Sequence, residues 1–136
     1  MTGAPDYQRR VEHLEELGVV RHQLGRLLAP IGDDDLSFNA VIAADELLAN
    51  CFVHTDDGCS IAAWLNHHPP PRLRVEVRDT STDQPVMHTT GASRGLRIVD
   101  RVTTHWGVDA RRQGKVVWFE IALSSSVNGR DDNRGG

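Results

Sequence analysis

Arg72-Leu-Arg-Val-Glu-Val-Arg78 alternates without a break, with Leu73, Val75 and Val77 on one side and charges on the other. A period of two with charged outward positions belongs to a strand with one dry and one wet face, as in antiparallel sheets covered on a single side. Upstream, Pro69-Pro70-Pro71 interrupts the chain in a connection, and Ser60 to Leu65 forms a short apolar strand. Downstream, Trp106 to Ala110 and Lys115 to Leu123 read as two more strands around a turn at Arg111-Arg-Gln-Gly114.

The dry face of such a sheet needs a cover, and helical spacing supplies it. From about Tyr7 to Ala29, Val11, Leu14, Leu17, Val20, Leu24, Leu27 and Leu28 recur at steps of three and four, predicting one amphipathic helix that Pro30 and Gly32 stop. Asp33-Asp34-Asp35 then offer capping groups to a second helix, from about Leu36 to His54. Arg94 to His105 resumes helical spacing through Leu96, Val99 and Val102. Between them, Thr80 to Ser93 is a polar stretch with Pro85 and Gly91 and no period, longer than most connections. The expectation is an α+β fold, a two-layer α/β sandwich whose mixed, mostly antiparallel sheet carries its helices on one face. One domain spans residues 7–123, with a flexible N-terminus (1–6) and a disordered polar tail (124–136).

Composition narrows the function. A chain of 136 residues fits a single domain that buries roughly two-thirds of its unfolded surface. Fifteen Lys and Arg against nineteen Asp and Glu leave a net charge of -4, without the basic excess of a free-standing nucleic-acid binder. No apolar run approaches the roughly 18 residues of a membrane span, and Met1 to Asp6 has neither the charged start nor the apolar core of a signal peptide. A cytoplasmic protein is expected. Two cysteines, Cys51 and Cys59, make no disulfide scaffold, and their spacing to His54, His67 and His68 matches no zinc pattern.

Three features carry chemistry. The second helix is apolar nearly all round, yet Glu46, Asn50 and His54 follow at four-residue steps along one stripe. A carboxylate and a carboxamide so placed either satisfy each other and nearby backbone at the edge of the buried face or line a cavity, and a cavity holding Mg²⁺ and phosphate would use both. Asp79 stands where the alternating strand ends, as a turn former or as an acceptor for an adenine amino group. Gly91-Ala-Ser-Arg-Gly95-Leu96 ends the polar stretch and opens a helix, a place where free amides and close backbone approach suit phosphate. The same segment matches Gly-x-Ser-x-Gly, but Met87-His-Thr-Thr90 is a poor strand for a nucleophile elbow, and that fold needs a longer chain. Neither a Walker A loop nor Gly-x-Gly-x-x-Gly occurs.

Taken in order, these pieces resemble the GHKL ATPase superfamily, in its compact branch of anti-sigma-factor serine kinases and short actinobacterial ATP-binding regulatory proteins. Glu46-Leu-Leu-Ala-Asn50-Cys-Phe-Val-His54 is similar to the N box, Arg74-Val-Glu-Val-Arg-Asp79 to the strand and aspartate of the first glycine box, Arg94-Gly95-Leu-Arg-Ile-Val-Asp100 to the second glycine box, and Gly114-Lys-Val-Val-Trp-Phe-Glu120 to the final strand. The resemblance runs from about Tyr7 to Leu123 and implies a Bergerat-type ATP-binding fold. It implies ATP and Mg²⁺ as cofactors, Glu46 as the catalytic base, and Asn50 as the metal-binding residue. It also implies a nucleotide contacted by Asn50, Asp79, Ser81, Gly91, Arg94, Gly95 and Leu96. The implied activity is a serine/threonine protein kinase that binds a sigma factor and phosphorylates a STAS-type anti-sigma antagonist, as a homodimer, without direct contact to nucleic acid or membrane. A non-catalytic module with weak or no nucleotide binding is the alternative. The third reading, the ATPase half of a two-component histidine kinase, lacks a dimerisation helix bearing a phospho-acceptor histidine. The sequence departs from the pattern at Ser81 and Ser93, where glycines are usual, and at Val116 or Val117, where a threonine often supports the aspartate. Each swap removes backbone freedom or a hydroxyl, worth about 1 kcal/mol.

Overall fold

A computed structural model describes residues 3–54, 57–79, 90–112 and 114–123. In chain order these form β1 (Tyr7–Val11), α1 (Leu17–Leu28), α2 (Asp34–His54), β2 (Cys59–Asn66), β3 (Arg72–Asp79), α3 (Thr90–Val102), β4 (His105–Arg111) and β5 (Gly114–Ala122), with short 3₁₀ turns at Leu14–Glu16 and Ala29–Ile31. The strands make one sheet in the order β1-β2-β3-β5-β4. Every neighbouring pair is antiparallel, so the sheet is not mixed. The α+β class holds, and the predicted tail 124–136 lies outside the described residues.

One side of the sheet is dry. Ile61, Ala63, Leu73, Val75, Val77, Val117, Phe119 and Ile121 project to it and are buried. The helices cover that side through Val20, Leu24 and Leu28 of α1, Ala40, Ala43, Leu47 and Leu48 of α2, and Leu96 and Val99 of α3. α2 is central, touching α1, α3, β2, β3 and β5, and its alanines let it approach the strands closely. On the other side, Arg74 bonds Glu76 at 2.9 Å and Glu120 at 3.0 Å, with its guanidinium 4.4 Å from the centre of the Trp118 ring. The alternation of Arg72–Arg78 therefore separates a core from a charged, aromatic face, as the sequence indicates.

The local signals at α2 are met as well. Gly32 turns the chain at φ +75°, a left-handed conformation open to glycine. The Asp33 carboxylate accepts the Leu36 amide at 3.0 Å, so the helix begins at Asp34, two residues ahead of the expected start. Over Asp34–Val53, α2 is long and apolar enough to cross a membrane by length and composition, although Asp45, Glu46 and Asn50 interrupt any continuous apolar run. Its apolar residues are spread round the helix because α1, α3 and the sheet surround it.

Three boundaries differ from expectation. The helix predicted over Tyr7–Ala29 is a strand followed by a helix, with Tyr7–Val11 pairing as the sheet edge from Tyr7↔Ala63 to Val11↔Cys59. Val11 is fully buried and Leu14 is 55% exposed, so the two do not share a helical stripe. Glu16 sets the break: its carboxylate accepts the Glu12 amide at 2.8 Å and the His13 amide at 2.9 Å, ahead of α1. Second, α3 starts at Thr90 rather than Arg94, which puts Gly91, Ser93, Arg94 and Gly95 inside the helix. Third, α3 ends at Val102, where the Thr103 hydroxyl and amide both bond the Val99 carbonyl, and His105 opens β4 opposite Glu120 instead of closing the helix.

Candidate functional site

The chemistry-bearing residues collect at one end of the sheet, where β3 finishes and β2 and β5 begin. The C-terminal half of α2 and the first turns of α3 lie over that end. Glu46 points at α3: a β-carbon on Gly95 would stand 2.8 Å from Glu46 Oε1. The absence of a side chain at Gly95 is therefore what admits the carboxylate between the two helices. Partial burial raises the pKa of Glu46 above the ordinary carboxylate value, and the neighbouring Asp45 charge adds to the effect. Asp45 itself turns away to Arg21 of α1, at 2.8 Å.

Asn50 lies one turn beyond Glu46 on the same stripe and is half-buried. No hydrogen bond joins Glu46 or Asn50 to each other or to another described side chain. Both side chains stand half-buried at the edge of the apolar surface of α2, a position open to water or to a ligand. Asn50 offers an amide oxygen of the kind Mg²⁺ accepts. Among the described residues no three His, Cys, Asp or Glu side chains converge as metal ligands.

Asp79 closes β3 and is 3% exposed. Its flanking partners in the sheet are Cys59 on β2 and Lys115 on β5. Directly opposed residues in antiparallel strands share a face, so these three side chains form one row on the helix-covered side. Lys115 Nζ stands 2.8 Å from Asp79 Oδ2, a buried ion pair. Lys115 is the charged neighbour of Asp79 that the sequence alone does not single out. Counting the β3/β5 register from Val77↔Val117 would have found it, because the position opposite Asp79 is Lys115 and neither of the two valines considered. Of those, Val117 shares the face of Asp79, and Val116 lies on the other side.

Cys51 of α2 meets this row from above. Its thiol contacts the Gly58 carbonyl at 3.9 Å, and both cysteines are buried and free. Hydrogen bonding to Cys59 and burial push the Cys51 thiol far above the ordinary thiol range, which leaves it protonated and unreactive.

The other predicted contacts are placed unevenly. Gly91 and Arg94 sit in the first turns of α3, and Gly95 follows against Glu46. Leu96 is 5% exposed and packs in the core, and because α3 begins at Thr90 its amide is already bonded within the helix, so the fold does not offer it to a ligand as the sequence suggests. Ser81 lies outside the described residues. A cavity of about 430 Å³ lined by Pro71, Arg72, Thr104, His105 and Glu120 lies at the opposite end of the sheet and contains none of the predicted residues. No protein-family model matches the chain, and no curated protein is similar to it.

Proposed function

We propose that this chain is an ATP·Mg²⁺-binding regulatory protein of the GHKL type, acting in the cytoplasm as a homodimeric protein serine/threonine kinase that binds a sigma factor and phosphorylates its anti-sigma antagonist. The observation that carries the reading is the Glu46 carboxylate held against the bare backbone of Gly95, one turn from Asn50, with neither side chain hydrogen-bonded to another among the described residues. Half-buried polar groups left unmatched in a helix cleft are costly unless a ligand or water uses them.

Phosphoryl transfer needs positioning and charge neutralisation more than covalent participation by the protein. Asn50 would hold Mg²⁺, which would supply charge neutralisation for the phosphates. Glu46 would accept the proton of the attacking serine hydroxyl, and its raised pKa makes it a stronger base than an exposed carboxylate. Asp79 would accept a hydrogen bond from the adenine amino group, and the amides of the first turn of α3 would face phosphate.

A second reading, a non-catalytic module acting through protein contacts, draws on the Asp79–Lys115 pair, which engages one oxygen of the base-reading carboxylate. Titration calorimetry with ATP, with and without Mg²⁺, separates the two. Magnesium-dependent binding that Asn50→Ala abolishes supports the nucleotide site, and label transfer to a partner lost in Glu46→Ala supports the kinase. No heat at millimolar ATP would favour the module.

A further inference from the structure

Lys115 is 4% exposed and lies on the helix-covered face of the sheet, where a charge is expensive unless it is matched. Its contact with Asp79 is ionic: Nζ is 2.8 Å from Oδ2, yet among the described residues no acceptor is aligned to take a hydrogen bond from the ammonium. An ammonium has three protons to donate, so this buried group keeps unused donor capacity beside the carboxylate. Both residues stand at the same sheet end as Glu46 and Asn50, and at strand termini, where the chain leaves the sheet.

A carboxylate beside an ammonium is an acceptor next to a donor. The Watson–Crick edge of adenine offers the complement, an exocyclic amino donor next to a ring-nitrogen acceptor. We infer that Lys115 is a specificity-determining residue of the nucleotide site: its ammonium donates to the N1 acceptor of a 6-aminopurine while Asp79 accepts from the amino group. The inference rests on the proposed ATP site and adds a second base-reading side chain to it. Lys115 positions Asp79 in the free protein and contacts the base directly in the complex. In a site with little water, a missing partner for either charge weighs more than it would on the surface.

The test needs no mutation in its first arm. Binding of ATP and of 1-deaza-ATP, which lacks the ring-nitrogen acceptor, is measured by calorimetry on the wild-type protein with Mg²⁺. The analogue is expected to bind about tenfold more weakly, as for a lost hydrogen bond to a charged group. In Lys115→Met the ATP affinity falls and the difference between the two nucleotides disappears, because the donor that senses the acceptor is gone. A variant that merely loosens the fold would weaken both nucleotides and keep their ratio, which overturns the assignment. Equal binding of ATP and 1-deaza-ATP to the wild type overturns it as well, and leaves the ATP site standing. GTP bound more tightly than ATP overturns the adenine register, since guanine would place its carbonyl on Lys115. Failure of the wild type to bind any nucleotide removes both this inference and the proposed function.

Discussion

The Glu46 carboxylate occupies the space that a side chain on Gly95 would take, with Oε1 2.8 Å from the position of a β-carbon there. The neighbour is the far end of a flexible side chain, and Gly95 lies in the interior of α3. Gly95→Ala should therefore fold. Replacing a helix-interior glycine with alanine gains up to about 1 kcal/mol, offset by the displacement of the carboxylate. Denaturant midpoints near the wild-type value are expected and, under the proposed kinase function with Glu46 as base, phosphoryl transfer reduced by about a hundredfold. A variant that folds and transfers phosphate at the wild-type rate would separate Glu46 from the chemistry.

The raised pKa of Glu46 gives a pH dependence whose sign is fixed. Its folded pKa lies above the unfolded value of 4.5, chiefly through burial. Stability from this group is therefore fully present below about pH 4.5 and declines as pH rises through the folded pKa. Glu46→Gln removes the penalty, so it should be more stable than the wild type at pH 7, and the difference should vanish as pH falls towards 4.5. Urea titrations of both proteins across that range measure it. If Glu46 is the base of the proposed kinase, activity should rise with pH over the same window, because a base works deprotonated.

Asp79→Asn leaves the Lys115 ammonium uncompensated in the core and should cost about 3–5 kcal/mol. Adding Lys115→Met removes the orphaned charge and should recover most of that loss, since well-packed apolar replacements of buried pairs are often neutral. A double-mutant cycle from chemical denaturation yields the coupling directly. Additive losses would mean that the two groups do not act as a pair.

How far these features could be read in advance follows the range of the forces involved. The strand Arg72–Asp79 and the helix from Asp34 are legible because alternation and an aspartate cap are local signals. Tyr7–Val11 is not, because Val11, Leu14 and Leu17 fall at three-residue steps while Tyr7, Arg9 and Val11 also alternate. Pairing with β2 decides between the two, through Val11↔Cys59. The true start of α3 is hidden in the sequence because Gly91 and Gly95 are weak helix formers, and packing of α3 on α2 overrides that preference. Glu46, Asn50 and Asp79 stand out in the sequence because they break an expected pattern, an apolar helix or the end of an alternating strand. Lys115 breaks none. It sits in a run that reads as strand, and only the pairing with β3 brings it to Asp79.

Gly107 on β4 has the same clearance as Gly95 and should behave in the opposite way. A β-carbon there would come within 2.8 Å of Trp118 Cζ2 and 2.9 Å of Cε2. The neighbour is now a rigid ring directly opposite in the register, and Arg74 covers it at 4.4 Å. The ring cannot swing aside as a carboxylate can without giving up the guanidinium contact, and Arg74 is in turn tied to Glu76 and Glu120. Gly107→Ala should therefore cost about 1–3 kcal/mol, the usual range for forcing an extra carbon into a packed site. ATP affinity should be unchanged, because Trp118 lies on the face of the sheet away from Glu46 and Asp79. Thermal unfolding and calorimetry on the one variant test both halves: a wild-type melting temperature would show that the ring moves freely, and a loss of ATP binding at full folding would show that the two faces of the sheet are coupled.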